Sequence, residues 1–339
     1  MGQEVKTSCE EWCVAVDRGH PGRYTKNHAY ITDGGLAAEG GMEQMVSVGS
    51  ILAMIFTLTA AFFLPIIGAV VLCAAGRLSW RSLITGFFFY AVLQALFRLP
   101  VLWLLYKIPA VQSFAYSLVG NALLMAITTA FFETAARFLG GRLVLGRKGR
   151  SITPGDSIGY GLGHSIAETF FLMGLSYFGN LMLAFAINQN GLSNYSEVFG
   201  QEAAVQVYQV LTGTPALEFA AGGVERIFYT IIQIVLTGLV FHGLRRRSIK
   251  PVLLAALAHF LTVFGTAILQ PHGVWVGEVY IFLMAMVLLL GLAPMLWPRR
   301  KAPAVPEGME EPLAPEELEK AETEESREKA EPQPSREET

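Results

Sequence analysis

The chain has 339 residues, of which 53% are hydrophobic and only 16% are charged, and its mean hydropathy is +0.44. Soluble domains carry about 25% charged residues, so this composition excludes an ordinary soluble domain and predicts an all-α, polytopic helical membrane bundle. The net charge of -3 averages a basic membrane region with an acidic tail, and it gives no support to nucleic-acid binding. The 3 cysteines are too few and too scattered for a disulfide framework.

The first 44 residues form a polar leader without helical or strand periodicity. They lack the apolar stretch after a basic start that marks a signal peptide. Met42 and Met45 directly precede the first apolar run, so two alternatives stay open, a disordered leader or a mis-assigned start. We expect a membrane-embedded domain over residues 45–299 and a disordered, charged cytoplasmic tail over residues 300–339.

Seven apolar segments are long enough to cross a bilayer. They are expected at about 46–75, 83–106, 114–145, 157–187, 216–244, 251–270 and 274–297. The third segment exceeds the necessary length, which predicts tilt or projection from the membrane. Thr153 to Asp156 form a turn and helix-start pattern before the fourth segment, and the long connection 188–214 contains an amphipathic stretch at 195–211.

Arginine and lysine clusters give the orientation of the bundle. They follow the first, third, fifth and seventh segments and therefore share one face: Arg77/Arg81, Arg147/Lys148/Arg150, Arg245/Arg246/Arg247/Lys250 and Arg299/Arg300/Lys301. Loops rich in positive charge stay in the cytoplasm. The pattern predicts an N-terminus outside and a C-terminus inside, and only Lys107 disagrees.

Ionisable side chains inside two of the segments are the main functional signal. Glu133 and Arg137 are four residues apart, as are His164 and Glu168, so each pair shares one helix face. Charged groups are costly at bilayer depth and are usually kept for a function. The purely structural alternatives are a simple ion pair between Glu133 and Arg137 and a hydrogen-bonded packing role for His164.

The predicted orientation places polar side chains of four segments at similar depth. At about 1.5 Å per residue, Glu133 lies roughly 18 Å from the cytoplasmic end of its segment and His164 about 10–14 Å. On the same measure His259 lies about 13 Å and Gln233 about 18 Å from that face. Four helices are therefore expected to meet around one polar cluster.

Three other charges are expected outside this cluster. Glu225 and Arg226 lie roughly 27 Å from the cytoplasmic end of their segment, so they are interpreted as structural or as lining an access path. Arg98 lies at the outer end of the second segment, where snorkelling to the interface explains it.

Two histidines and a carboxylate that converge in an apolar bundle suit a divalent metal, with zinc as the first candidate. Glu133 is then the general base or a metal ligand, and His164 and His259 are ligands or polarising groups. Arg137 would keep the Glu133 carboxylate ionised and oriented, while Glu168 would ligate the metal or orient the imidazole. The reaction best served is hydrolysis of a peptide bond within or beside the membrane.

The order of these motifs resembles the YhfC family of bacterial intramembrane metalloproteases, which is related at the superfamily level to the CPBP group. The matching patterns are Glu-x-x-x-Arg at 133–137, Tyr-Gly-x-Gly-His-x-x-x-Glu at 160–168, Glu-Arg-Ile-Phe at 225–228 and Ala-x-x-His at 256–259. The resemblance covers about residues 46–297. It implies a multi-pass protein of the bacterial plasma membrane, in contact with lipid, that cleaves a peptide or membrane protein.

The sequence departs from the family pattern at two positions. Thr134 stands where a second Glu is usual, and Gln233 stands where a histidine is expected. The first change removes a supporting carboxylate, and an amide ligates a metal more weakly than an imidazole. Two alternatives to a protease therefore stay open, a membrane protein that binds or transports a small solute or ion, and a degenerate protease scaffold.

Overall fold

The computed structural model describes residues 29–32, 35–38, 45–145, 152–190 and 201–296. Seven helices in these ranges are long and apolar enough to cross a membrane. We label them α1 (Val48–Ala74), α2 (Trp80–Tyr106), α3 (Leu118–Gly140), α4 (Pro154–Gln189), α5 (Ala216–Arg246), α6 (Lys250–Leu269) and α7 (Val274–Leu296). The predicted all-α fold with seven spans is confirmed.

Helix α5 lies at the centre of the bundle. Its most apolar 18-residue window is 61% buried, against 44% or less for the other six helices. A helix that is apolar on all sides is buried on all sides, and α5 contacts α1, α4, α6 and α7. The peripheral helices instead expose large apolar side chains such as Val48, Leu253 and Leu290, which suits a surrounding of lipid rather than water.

Glycines of α4 allow it to pass very close to its two neighbours. A Cβ atom on Gly163 would lie 2.0 Å from the carbonyl oxygen of Leu83 in α2. A Cβ atom on Gly161 would lie 2.6 Å from the Cα atom of Ile234 in α5. Larger residues do not fit at such distances, so these small residues fix α4 between α2 and α5.

The start of α4 is held by the predicted cap. Thr153 Oγ1 accepts a hydrogen bond from the backbone N–H of Asp156 at 3.1 Å, and Asp156 Oδ2 accepts one from the backbone N–H of Thr153 at 2.9 Å. This reciprocal capping box satisfies backbone donors that the first helical turn leaves free. Ser82 of α2 donates to Asp156 Oδ1 at 2.5 Å, which ties the cap to the neighbouring helix.

The third span begins later than predicted. Residues Pro109–Ala115 form a separate short helix, and α3 begins at Leu118. Ser117 caps α3 by accepting a hydrogen bond from the N–H of Gly120 at 3.0 Å. The expectation of one continuous helix from residue 114 is wrong because this local cap starts a new helix.

The connection between α4 and α5 contains the helix Gln201–Gly213. Residues 191–200 lie outside the described part, so only the second half of the predicted amphipathic stretch can be compared. The helix buries Ala204, Tyr208 and Leu211 against Phe219 and neighbouring apolar residues. It therefore packs on the bundle, and its amphipathic pattern reflects a protein contact.

Part of the predicted leader forms an antiparallel ribbon of β1 (Ala29–Thr32) and β2 (Gly35–Ala38). The lack of strand periodicity did not indicate it. The rest of the leader up to residue 44, and the tail 300–339, lie outside the described residues. The domain boundaries and the state of both ends therefore stay predictions.

The close approach of α4 and α2 can be tested by a glycine-to-alanine substitution, which adds one methyl group. Gly163→Ala places a Cβ atom against backbone that cannot move away alone, so we expect overpacking to cost about 1–3 kcal/mol of unfolding free energy. Thermal unfolding in detergent measures the change. Gly179→Ala in the same helix is the control, because nothing lies within 4 Å of its Cβ position. Equal unfolding temperatures for the two variants would contradict the packing described above.

Candidate functional site

Helix α3 supplies a buried carboxylate and a buried guanidinium. Glu133 is 2% exposed and Arg137 is fully buried. Because they are one helical turn apart, Arg137 Nη2 can donate to Glu133 Oε2, at 3.3 Å. The same Nη2 lies 3.2 Å from His164 Nε2 and donates to Gln233 Oε1. Arg137 therefore holds groups of three helices together around the carboxylate.

Helix α4 places His164 directly against that carboxylate. His164 Nε2 lies 2.9 Å from Glu133 Oε2, and the residue is fully buried. Tyr90 meets the imidazole edge-on at a centroid distance of 4.8 Å, and Tyr160 stacks on it at 6.3 Å. The Tyr160 hydroxyl donates to the carbonyl oxygen of Ala136 at 2.7 Å. The imidazole is thus fixed by two aromatic rings, one of which is itself anchored.

Helices α5 and α6 complete the cluster, as the depth comparison predicted. Gln233 Nε2 donates to Glu133 Oε2 at 3.3 Å and also to Glu168 Oε2. His259 Nε2 lies 3.6 Å from Glu133 Oε2, and both Gln233 and His259 are fully buried. Arg137, His164, Gln233 and His259 therefore meet at one oxygen of Glu133, and Glu168 is joined to them through Gln233.

Helix α2 adds Gln94, which sequence reasoning missed, and Arg98, which it placed outside the cluster. Gln94 Nε2 donates to Glu133 Oε1 at 3.2 Å, and Arg98 Nη1 donates to Gln94 Oε1 at 3.3 Å. Arg98 Nε also donates to Thr128 of α3, so its guanidinium points into the bundle and the snorkelling interpretation is wrong. The spacing of Gln94 and Arg98 matches that of Glu133 and Arg137, which was the available signal. Both lie on the π-helical turn Leu93–Arg98, a feature often found at functional sites.

The Glu225–Arg226 pair also joins the cluster, contrary to the expectation from depth. Arg226 Nη1 donates to Glu168 Oε1 at 3.3 Å, and Nη2 pairs with Glu225. Its guanidinium lies 4.6 Å from the ring centroid of Tyr229. The depth estimate counted backbone positions, whereas the long Arg226 side chain and Glu168 reach towards each other across the gap.

Buried charges in this site are paired. Glu133 has Arg137 as its guanidinium partner, and Glu168 has Arg226. An unpaired charge in an apolar interior is strongly destabilising, whereas a paired and hydrogen-bonded one is tolerated. The pairing keeps two carboxylates in a region that otherwise excludes them.

The residues present fit a divalent metal. Ligand atoms of Glu133, His164 and Glu168 lie within 4.8 Å of one another, and the predicted ligand His259 is not part of this set. Two ligand atoms on a tetrahedral zinc lie about 3.3 Å apart, which is close to the 2.9 Å and 3.6 Å that separate Glu133 Oε2 from the His164 and His259 Nε2 atoms. Within the described part of the chain, neither ring nitrogen of His259 has a hydrogen-bond partner. A fully buried imidazole left in that state is suited to ligation.

The two residues that depart from the family pattern, Gln233 and Thr134, have different surroundings in the structure. Gln233 fills the central position on α5 and contacts Glu133, Glu168 and Arg137. Thr134 is 8% exposed, and its Oγ1 has no hydrogen-bond partner among the described residues. The glutamine is therefore part of the network, and the threonine is not.

Seven apolar helices around a buried carboxylate–imidazole cluster define the class, a multi-pass integral membrane protein with a polar intramembrane site. One family model, described as YhfC intramembrane metalloprotease, matches residues 60–281, more than half of the chain. The chain belongs to this family, as the order of its motifs predicted. The residues that form the cluster on α2 to α6 all lie within the match.

A relative in Bacillus subtilis (strain 168), named "Uncharacterized membrane protein YhfC", is 31% identical over 137 residues. The aligned part is 40% of this chain and 52% of that protein, so the chain spans about half the length of this relative. No solved structure matches the chain. The family assignment therefore rests on sequence, and the geometry of the site on the structure described above.

The link between Glu168 and Arg226 is testable by unfolding. Arg226→Met leaves Glu168 as a buried carboxylate without its guanidinium partner, so we expect a loss of about 3–5 kcal/mol. Adding Glu168→Gln removes the stranded charge and should recover part of that loss. Unfolding in detergent measures both, with Arg142→Met at an exposed position as the control. Strictly additive effects in the double variant would show that the two side chains do not interact.

Proposed function

We propose that the protein is a metal-dependent endopeptidase that hydrolyses peptide bonds in or near the bacterial plasma membrane. One observation carries the proposal. Glu133 Oε2 is within 3.6 Å of imidazole nitrogens from two other helices, and all three residues are at most 2% exposed. A carboxylate beside two imidazoles in a site closed to bulk water is suited to activating a single water molecule.

Each residue of the cluster has a role in this proposal. Glu133 accepts the proton of the attacking water at Oε2. Arg137 keeps that carboxylate ionised and oriented, because its Nη2 donates to the same oxygen. His164 and His259 act through Nε2 as ligands or polarising groups, and Glu168 acts as a further ligand or orients the cluster through Gln233.

A divalent metal, with zinc as the first candidate, would be held by His164, His259 and the Glu133 or Glu168 carboxylate. When bound, it supplies Lewis acidity towards water and towards a carbonyl oxygen. The low polarity around the cluster strengthens every charge interaction within it. The protein itself contributes the positions of these side chains and the exclusion of bulk solvent from them.

A second candidate function is a non-catalytic membrane protein, either a binder or transporter of a small solute or ion, or a degenerate protease scaffold. The hydrogen bonding of Gln233 favours it, because one amide satisfies Arg137 and both carboxylates without any ligand. A solute or ion function predicts uptake or binding that is lost in His164→Ala, without proteolysis. A scaffold predicts that His164→Ala and His259→Ala together are tolerated.

Metal content is the direct test of the cluster as a metal centre. Protein purified in detergent should hold about one zinc per chain, and the His164→Ala/His259→Ala variant should hold almost none, because both imidazole ligands are gone. Elemental analysis by mass spectrometry measures this. His272→Ala, in the turn Gln270–His272 at the end of α6, is the matched control. A metal-free wild-type protein that still cleaves peptides would refute metal dependence.

Substitution of Glu133, the proposed general base, tests catalysis. Glu133→Gln keeps the shape of the side chain but cannot accept a proton, so we expect peptide cleavage to fall by at least about 100-fold. The measurement is the appearance of new peptide termini in membranes that contain wild type or variant. Glu218→Gln, in the first turn of α5, serves as the control. Unchanged cleavage by Glu133→Gln would exclude Glu133 as the base.

A further inference from the structure

Hydrolysis inside the bundle needs a route for water. The proposed reaction consumes one water molecule for each bond that is cleaved, yet Glu133 is 2% exposed and both imidazoles are fully buried. The outer surface of the helices is apolar and suited to lipid. Water must therefore reach Glu133 through the protein, from one end of the bundle. We name the two ends after α5, the Ala216 end and the Arg246 end.

A continuous series of polar contacts runs from the site towards the Ala216 end. Gln233 Nε2 donates to Glu133 and to Glu168, Arg226 Nη1 donates to Glu168 at 3.3 Å, and Arg226 Nη2 pairs with Glu225. Arg226 lies two helical turns from Gln233 in the direction of Ala216. We call these side chains, from Glu133 to Glu225, the polar column.

Exposure falls from Glu225 inwards along the polar column, and Gln233 and Glu133 at its inner end are both sealed. The exposed fraction of the side chain is 18% for Glu225, 10% for Arg226, 5% for Glu168 and 2% for Glu133. The outermost member is therefore partly open to the surroundings and the innermost is sealed. Such a gradient is what a route from the protein surface to an enclosed site requires.

Unsatisfied polar atoms lie on the Ala216 side of the site, as they also do at Arg137 in the site and at Ser157 near the Arg246 end. Arg226 Nε is buried and has no hydrogen-bond partner within the described residues, and the same is true of Oε2 of Glu278 in α7. Glu278 is only 7% exposed and lies in the second turn of α7. Buried polar atoms in native proteins are nearly always hydrogen-bonded, often to internal water. These two atoms mark places where water molecules fit.

The Arg246 end is closed by apolar packing. Tyr160 lies between His164 and that end, its hydroxyl is engaged with Ala136, and its ring contacts Phe241 at a centroid distance of 5.2 Å. Val240 and Phe241 are fully buried, and a Cβ atom on Gly140 would lie 2.6 Å from the Tyr160 ring. Apolar packing this tight leaves no space for water between Tyr160 and Phe241. A cavity of about 210 Å³ does lie between α4, α5 and α7 on this side, but among the described residues Ser157 is its one polar side chain, and no series of charged groups connects it to Glu133.

We infer that the polar column is a hydrated entry path, and that the site receives its water from the Ala216 end. Glu225 forms the mouth of this path, Arg226 spans its middle, and Glu168 with Gln233 delivers water to Glu133. The need for water rests on the proposed hydrolysis, but the hydration of the column is a property of the folded protein and can be measured without any cleavage assay.

Cysteine accessibility tests the path. Cys9, Cys13 and Cys73 are first replaced by Ser, and single cysteines are then introduced as Glu225→Cys and Glu168→Cys. Proteoliposomes receive a small charged methanethiosulfonate on both sides, which modifies only thiols in contact with water. Both cysteines should react at least ten-fold faster than Val240→Cys, which is as buried as Glu168 but lies in the apolar end.

Two further variants keep the result unambiguous. Ile227→Cys lies beside Arg226 on α5 but is 40% exposed towards the lipid, so it controls for depth and should react slowly. Ser165→Cys is nearly isosteric and lies within hydrogen-bond distance of Thr230 beside the column, so it replaces Glu168→Cys if that variant fails to fold. Equal rates at Glu168 or Ser165 and at Val240 would overturn the path. Fast labelling of a wild-type protein that cleaves no peptide would instead retain the path and reject the hydrolase.

Discussion

A charge within a membrane protein has to be paired, and this constraint determines how the bundle is assembled. Glu133 Oε2 is the atom on which the pairing converges, because Arg137, His164, Gln233 and His259 all approach it within 3.6 Å. Each of these groups comes from α3, α4, α5 or α6. The carboxylate therefore requires four helices to be present and in register, and it links their packing to the chemistry of the site.

Close helix packing is what makes that convergence possible. Without Gly161 and Gly163, α4 could not lie against both α2 and α5, and His164 would sit farther from Glu133. Hydrophobic association is weak between helices in lipid, so small residues and polar contacts supply much of the specificity. Here the two act together, because the glycines bring the backbones close and the hydrogen bonds of Gln233 and Arg137 fix the relative position of the helices.

The site is asymmetric along the membrane normal. On one side of His164 lie Tyr160 and the apolar core of α5, and on the other lies a series of carboxylates and guanidinium groups that ends near the surface. The proposed hydrolysis would use both properties, because an apolar side strengthens electrostatic interactions and a polar side can admit water. The same asymmetry would also serve the binding of a small cation, which is why metal content and cleavage have to be measured separately.

The sequence by itself determined the seven spans, the start of α4 at Thr153 and the pairing of Glu133 with Arg137. These features follow from local patterns: apolar length, capping residues and four-residue spacing on a helix. It also placed His164, Gln233 and His259 at similar depth, because helical rise is constant. Only the tertiary structure decided how far side chains reach between helices. Arg98 turns inward to Thr128 of α3, and Arg226 to Glu168 of α4. Such contacts depend on helix rotation and side-chain length, which a one-dimensional depth does not contain.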